Sequence, residues 1–119
     1  MNVIVAGGRD FNNKSIFYTI LNGLIKDDTI LSGHASGADS LAEQYAKEKN
    51  LPCKIYPAKW DIYGKSAGPI RNEVMAKHAD KLIAFWNQSS KGTKNMIELA
   101  KKYKLTIFVF DYEGNHIDV

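Results

Sequence analysis

Leu31-Ser-Gly-His-Ala-Ser-Gly-Ala-Asp-Ser-Leu-Ala-Glu43 is the stretch that decides the fold. The apolar run at residues 29–31 predicts a buried strand, and the apolar positions between residues 41 and 46 recur at helical spacing. Between them, Gly33 and Gly37 allow a turn with positive φ and let a ligand approach the backbone closely. A strand, a glycine-rich turn and a helix together point free backbone N–H groups at an anion. We therefore predict a phosphate or nucleotide site in this stretch.

A purely structural role for the same stretch stays open at this point. Ser36 and Asp39 have the spacing of a capping box, which predicts Ser36 as the helix N-cap. Capped helices after glycine turns also occur where no ligand binds, so the motif alone does not separate the two interpretations.

Strand and helix patterns alternate along the whole chain. Apolar runs predict five strands, at residues 2–6, 29–31, 53–56, 81–85 and 104–110. Helical spacing predicts four helices: residues 15–26, a second that ends near residue 50, a third that begins at residue 69 and a fourth that begins at residue 93. This alternation predicts an α/β fold: a doubly wound five-stranded parallel sheet of order 3-2-1-4-5 with helices on both faces. We expect a single domain over residues 1–119, with residues 111–119 as a short acidic tail in which residues 113–115 turn and return a short edge strand.

Four polar or glycine-containing turns follow strands in this pattern, at residues 7–11, 32–39, 68–72 and 89–93. The first turn lacks a full G-x-G-x-x-G, so the standard dinucleotide fingerprint is not present. In doubly wound sheets, ligands bind at the carboxyl ends of the strands, where the strand order reverses. All four turns are predicted to lie on that edge, with the reversal between the first and fourth strands.

Arg71 is the candidate cation of the site. Gly68 and Pro69 predict a helix start with Pro69 near the first position, which puts Arg71 and Asn72 in the first turn. A cation there opposes the helix dipole and needs an anion nearby. That anion is either a ligand phosphate, which arginine grips with two hydrogen bonds, or a carboxylate of the chain: Asp10, Asp61 or Glu73.

Residues 57–66 form a longer connection than usual between a strand and a helix. This length favours a functional or lid-like loop carrying Trp60. The alternative is that Trp60 closes the edge of the core.

The composition, 45% hydrophobic and 24% charged, is that of an ordinary globular protein. The absence of an 18-residue apolar run and of a signal-peptide pattern, together with the single Cys53, leads us to expect a cytoplasmic protein with no membrane partner. One cysteine and three scattered histidines predict no metal site, and we expect no cofactor.

The net charge is +3, and residues 51–110 carry eleven Lys or Arg against four Asp or Glu. A basic middle suits a phosphorylated partner, although a solvated lysine surface is the simpler explanation for Lys101, Lys102 and Lys104. No arginine-rich run or recognition motif supports a nucleic-acid partner.

Four motifs carry a resemblance to a known family: Gly-Gly-Arg-Asp-Phe at 7–11, Ser-Gly-x-Ala-x-Gly-Ala-Asp-Ser-Leu-Ala at 32–42, Gly-Pro-Ile-Arg-Asn-x-x-Met at 68–75, and Phe-Trp…Ser-x-Gly-Thr at 85–93. Together they resemble the SLOG superfamily, and most of all its small YspA/cpYpsA-related branch. LONELY GUY-type phosphoribohydrolases and the DNA-processing protein DprA are more distant relatives. The resemblance implies a Rossmann-like fold that binds nucleotides or molecules derived from them.

The sequence matches the motifs of the phosphoribohydrolases only in part. Arg71 matches the arginine of their R-K-x-x-M motif, but Asn72 replaces the lysine. Gly92 and Thr93 match the end of their P-G-G-x-G-T-x-x-E motif, whereas Met96 stands where they have the catalytic glutamate.

Three functions follow as expectations. The first is binding without turnover of an ADP-ribose, cyclic ADP-ribose or NAD-related ligand, as a sensor or sequestering protein. The second is cleavage of an N-glycosidic bond with Arg71, Asp39 and Glu73 as catalytic residues, and the third is a DNA-associated domain similar to DprA. We also expect the protein to form a homo-oligomer. The candidate ligand-binding residues are Gly7, Gly8, Arg9, Ser32, Gly33, Gly37, Asp39, Trp60, Gly68, Arg71, Asn72, Trp86, Ser89, Ser90, Gly92 and Thr93.

Overall fold

A computed structural model describes residues 1–119, which build a five-stranded sheet flanked by helices. The strands are β1 (Asn2–Gly7), β2 (Thr29–Ser32), β3 (Cys53–Ile55), β4 (Lys81–Phe85) and β5 (Thr106–Phe110). The helices are α1 (Lys14–Leu24), α2 (Ala38–Glu48), α3 (Trp60–Tyr63), α4 (Ala67–His78) and α5 (Lys91–Lys102).

The strand order is β3-β2-β1-β4-β5, and every pairing is parallel, which confirms the predicted Rossmann-like α/β topology. β1 is the central strand: Val3 pairs with Ile30 of β2 on one side and with Lys81 of β4 on the other. Because the chain winds outward in both directions from β1, the strand order reverses between β1 and β4.

Helices cover both faces of the sheet because successive side chains of a strand point to opposite sides. On one face, Val3 and Val5 belong to a cluster of 13 buried residues that α1 and α2 complete. On the other face, Ile4 belongs to a cluster of 10 buried residues that α4 and α5 complete with Met75 and Met96 among others. No helix of the structure is long and apolar enough to cross a membrane.

Most predicted boundaries are within two residues of the observed ones, and the differences occur at turns. β3 ends at Ile55, and β5 begins at Thr106 because Lys104 has a φ of 59° and closes the preceding helix. The prediction that residues 57–66 form a loop was wrong in part, since this segment contains α3 and a 3-10 turn over Gly64–Ser66.

The predicted cap of α2 was wrong. Gly37, not Ser36, is the N-cap, with a φ of 74°, and no side chain caps this helix. Ser36 Oγ instead donates to the backbone oxygen of Arg9 at 3.3 Å. A side chain on Gly37 would collide with the backbone of Gly8 and Arg9, so the start of α2 packs directly on the first turn.

The start of α4 also differs from the prediction. The helix begins at Ala67, so Pro69 is its third residue and Arg71 its fifth. Arg71 therefore lies beyond the first turn, where the effect of the helix dipole has fallen off. The reason for its position has to be found in its contacts.

The acidic tail turns as predicted but adds no full strand. Asp111 Oδ1 accepts hydrogen bonds from the backbone N–H groups of Glu113 and Asn115, both at 2.9 Å, and Gly114 has a φ of 89°. The returning chain makes one antiparallel bridge, between Phe110 and His116.

Candidate functional site

A cavity of about 560 Å³ lies at the carboxyl edge of the sheet, where the strand order reverses. All four predicted turns contribute to its wall. The predicted site residues that line it are Gly7, Gly8, Arg9, Asp39, Trp60, Gly68, Arg71, Asn72, Ser90, Gly92 and Thr93.

Arg71 is positioned by backbone oxygens from two other elements. Its Nη1 donates to the carbonyl of Gly33 and, at 3.2 Å, to that of Tyr56, at the ends of β2 and β3. A Cβ on Gly33 would stand 2.5 Å from Nη1, so glycine is needed for the guanidinium to pass. Burial lowers the pKa of Arg71, and the negative charge of Asp39 opposes that shift. The carboxylate that interacts with Arg71 is therefore Asp39, and not Asp10, Asp61 or Glu73, the three acids that the sequence suggested.

Asp39 is the buried acid of the cavity. It is 7% exposed, and its Oδ2 accepts a hydrogen bond from the backbone N–H of Ala35 at 3.2 Å. Burial raises the pKa of Asp39 to about 6, although the bond from Ala35 and the charge of Arg71 act in the opposite direction. A carboxyl with this pKa can accept a hydrogen bond as the anion or donate a proton near neutral pH.

Asn72 connects α4 to α5 across the floor of the cavity. Its Oδ1 accepts from Arg71 Nε at 2.8 Å, and its Nδ2 donates to Asn95 Oδ1 at 3.0 Å and to Gly92 O at 3.4 Å. This chain of bonds orients the amide of Asn95, whose Nδ2 donates to no protein atom and can serve a ligand.

The start of α5 has the geometry of an anion site. Ser90 is its N-cap and accepts from the backbone N–H of Thr93 at 3.3 Å. The backbone N–H groups of Lys91 and Gly92 make no hydrogen bond within the protein. A Cβ placed on Gly92 would meet no atom within 4 Å, so this backbone is open to the cavity.

A second cavity of about 290 Å³ adjoins the first and shares its residues Arg9, Ala35, Trp60 and Arg71. Trp60, half exposed, lines both cavities, so it does not close the edge of the core. Of the remaining predicted residues, Gly33 lines the second cavity only.

Five predicted residues lie outside both cavities. Ser32 is fully buried, Gly37 packs on the first turn, and Ser89 is exposed. Trp86 packs into the core on the α4 and α5 side, and its Nε1 donates to Ser90 O at 3.1 Å. Glu73, the third candidate catalytic residue, also lines neither cavity.

Glu73 is occupied on the surface between α4 and α5. Its Oε2 accepts from Tyr103 Oη at 2.8 Å and from Lys102 Nζ at 3.1 Å. The hydrogen bond from Tyr103 is the largest cause that lowers the pKa of Glu73. Both partners come from the end of α5, about 30 residues away in the chain, so no local pattern indicated them.

Sequence reasoning missed three chemically active residues of the cavities, His34, Lys91 and Asn95, and considered Asp10 only as an anion for Arg71. Asp10 accepts a hydrogen bond from Tyr112 Oη, and Lys91 is the first residue of α5. Asn95 stands one turn after Lys91, so helical spacing from the start of α5 was the available signal. The structure contains no group of three or more His, Cys, Asp or Glu that could hold a metal ion.

Comparison with known proteins agrees with the fold. A family model of the YspA, cpYpsA-related SLOG family matches residues 1–63. The Gene 61 protein of Mycobacterium phage D29 is 26% identical over 118 residues, covering 91% of this chain and 94% of the phage protein. The X-ray structure of DNA processing protein A (DprA) from Streptococcus pneumoniae matches with a TM-score of 0.74 and 18% identity, covering 92% of this chain and 49% of DprA. The chain thus has the fold of DprA and spans about half its length.

Proposed function

The chain belongs to the YspA, cpYpsA-related SLOG family, and from this premise we propose that it binds a nucleotide or a nucleotide-derived ligand, such as ADP-ribose, cyclic ADP-ribose or NAD. It holds the ligand as a sensor or a sequestering protein. The observation that carries the proposal is the cavity at the strand reversal, where two arginines and the free N–H groups of α5 face the same space.

Each part of such a ligand has a suitable group in the cavity. The N–H groups of Lys91 and Gly92 donate to phosphate oxygens, as at other helix N-termini. The guanidinium of Arg9 makes no hydrogen bond or ion pair within the protein, so it is free for a phosphate. Asp39 accepts from ribose hydroxyls, and the exposed ring of Trp60 offers a stacking surface for a base.

The test is direct titration of the purified protein with AMP, ADP-ribose, cyclic ADP-ribose and NAD by calorimetry, alongside mass spectrometry of small molecules released on denaturation. Arg9→Ala is the informative variant, because the Arg9 side chain makes no hydrogen bond or ion pair that its removal would break. We expect it to weaken binding by about tenfold or more, as the loss of a charge-assisted hydrogen bond does. Lys77→Ala, in the last turn of α4 and away from the cavity, is the matched control and should bind as the wild type does.

An absence of binding to every nucleotide, together with an absence of co-purified nucleotide, would overturn the proposal. Equal weakening by Arg9→Ala and Lys77→Ala would show that the response is to overall charge rather than to the cavity.

A second candidate function, hydrolysis of an N-glycosidic bond, is favoured by the raised pKa of Asp39 beside Arg71. Asp39 then assists departure of the base, and Arg71 stabilises the charge of the phosphoribosyl group. Incubation with nucleoside monophosphates, followed by chromatography for free base, tests this function. Base release that is lost in Asp39→Asn while binding persists supports hydrolysis, and no release from any substrate excludes it.

The likeness to DprA concerns the fold alone, and DNA association has the least support of the three functions.

A further inference from the structure

The smaller cavity has chemistry of its own. Its volume of about 290 Å³ is large enough for several water molecules at roughly 30 Å³ each, and hence for a sugar ring. The residues that it does not share with the larger cavity are Gly33, His34, Ser36, Pro57 and Ala58. Among them, His34 is the one with a titratable side chain.

His34 is held in place by a chain of hydrogen bonds that begins in the core. The fully buried Ser32 donates from Oγ to Glu43 Oε2 at 2.7 Å, and His34 Nδ1 lies 3.0 Å from the same oxygen. The backbone N–H of His34 also donates to Ser32 Oγ at 3.1 Å. These bonds fix both the backbone and the ring of a residue whose φ is 61°.

The same bonds determine which ring nitrogen of His34 is left for a ligand. A carboxylate only accepts hydrogen bonds, so Nδ1 of His34 carries a proton. In the neutral ring, Nε2 then presents a lone pair, and Nε2 has no hydrogen-bond partner within the protein. An acceptor of this kind suits a hydroxyl that donates to Nε2, whereas a fully ionised phosphate has no hydrogen to donate to it.

The boundary between the two cavities is positively charged. Arg9 and Arg71 line both cavities, and the charge of Arg9 is one of the causes that lower the pKa of Arg71. Two neighbouring cations and one nearby anion, Asp39, leave a net positive charge at this boundary, which suits a phosphate group.

On the basis of the proposed nucleotide binding, we propose that the ligand is a nucleoside diphosphate joined to a sugar, and that the smaller cavity is the site of that sugar. The nucleoside and the phosphate next to it occupy the larger cavity, where the N–H groups of α5 lie. The second phosphate lies on Arg9 and Arg71 at the boundary, and a hydroxyl of the terminal sugar donates to His34 Nε2. A mononucleotide fills the larger cavity alone.

The test is calorimetric titration with three series of probes: AMP, ADP and ADP-ribose; GMP, GDP and GDP-mannose; UMP, UDP and UDP-glucose. In the series that binds, we expect the sugar to strengthen binding by about tenfold over the diphosphate, the effect of one or two added hydrogen bonds. His34→Asn should remove this gain and leave the affinity for the diphosphate unchanged, because asparagine tolerates positive φ but does not reach the position of Nε2.

Two further variants make the result specific. Ala58→Leu fills the smaller cavity and should also remove the gain from the sugar while sparing the diphosphate. His116→Asn is the matched control, since His116 also lies beside a carboxylate, Asp118, but in the tail and outside both cavities. It should change neither affinity.

The outcomes separate this inference from the proposed function. If diphosphates bind and their sugar conjugates bind no more tightly, or if His34→Asn weakens both equally, the sugar site is overturned while nucleotide binding stands. If no probe of any series binds, the sugar site is overturned, and the proposed function falls with it if cyclic ADP-ribose and NAD also fail to bind and no nucleotide co-purifies.

Discussion

At the scale of single residues, Asp39 makes stability depend on pH. Burial raises its pKa to about 6 from about 3.8, so folding favours the protonated carboxyl. The stabilising contribution is complete below about pH 4 and is lost as the pH rises through about 6. The shift corresponds to a free energy on the order of 3 kcal/mol.

Asp39→Asn removes this dependence, because asparagine cannot ionise yet can still accept from the Ala35 N–H. Between pH 4 and pH 8, the wild type should lose up to about 3 kcal/mol of unfolding free energy that Asp39→Asn does not lose. The difference in unfolding free energy, variant minus wild type, therefore rises by that amount. Urea denaturation at a series of pH values measures it, with Asp27→Asn at an exposed position as the control. A constant difference between Asp39→Asn and the wild type across this range would contradict the assignment.

At the scale of elements, α5 depends on a single capping side chain. Ser90 Oγ accepts from the N–H of Thr93, and Ser90 O also holds Trp86 Nε1. Replacing an N-cap serine by alanine usually costs about 1 kcal/mol, and we expect that loss of unfolding free energy in Ser90→Ala.

Ser89→Ala is the matched control, since the hydroxyl of Ser89 makes no hydrogen bond and the residue is exposed. Thermal and urea unfolding of the two variants should show a loss for Ser90→Ala and almost none for Ser89→Ala. Because the cap also orients the free N–H groups of Lys91 and Gly92, the Ser90 variant should bind nucleotide more weakly as well. Equal stability of the two variants would show that the Ser90 cap does not stabilise α5.

At the scale of the whole molecule, the exposed apolar side chains are unevenly distributed. Six of the eight large hydrophobic residues that are exposed lie between residues 55 and 74. Ile70 and Val74 stand one turn apart on α4, and α3, which contacts α4, exposes Ile62 and Tyr63. A concentrated apolar patch of this kind is typical of a protein–protein interface.

We therefore predict self-association through the α3 and α4 surface. Sedimentation of the wild type should show a homo-oligomer, and the double variant Ile70→Glu with Val74→Glu should be monomeric and still folded, because both positions are exposed. A pair of substitutions at exposed positions of α1, Thr19→Glu with Asn22→Glu, serves as the control and should leave the assembly unchanged. A monomeric wild type at all concentrations would exclude this interface.

The amino-acid sequence alone determined the architecture of this protein. Apolar runs and helical spacing are local signals, and their alternation was enough to predict the parallel sheet and its order. The turns could be placed on one edge for the same reason, since parallel strands bring their carboxyl ends together. Most of the candidate residues in these turns, from Gly7 to Thr93, do line the cavities.

Only the tertiary structure decided which side chains face the cavity and what holds them. Glu73 lies on the surface because Tyr103 and Lys102, distant in the chain, take its carboxylate, whereas Asn95 is oriented by Asn72 from another helix. Arg71 depends on backbone oxygens of Gly33 and Tyr56 rather than on a dipole. The physical reason is that side-chain direction and burial depend on contacts between elements, which a pattern of neighbouring residues does not contain.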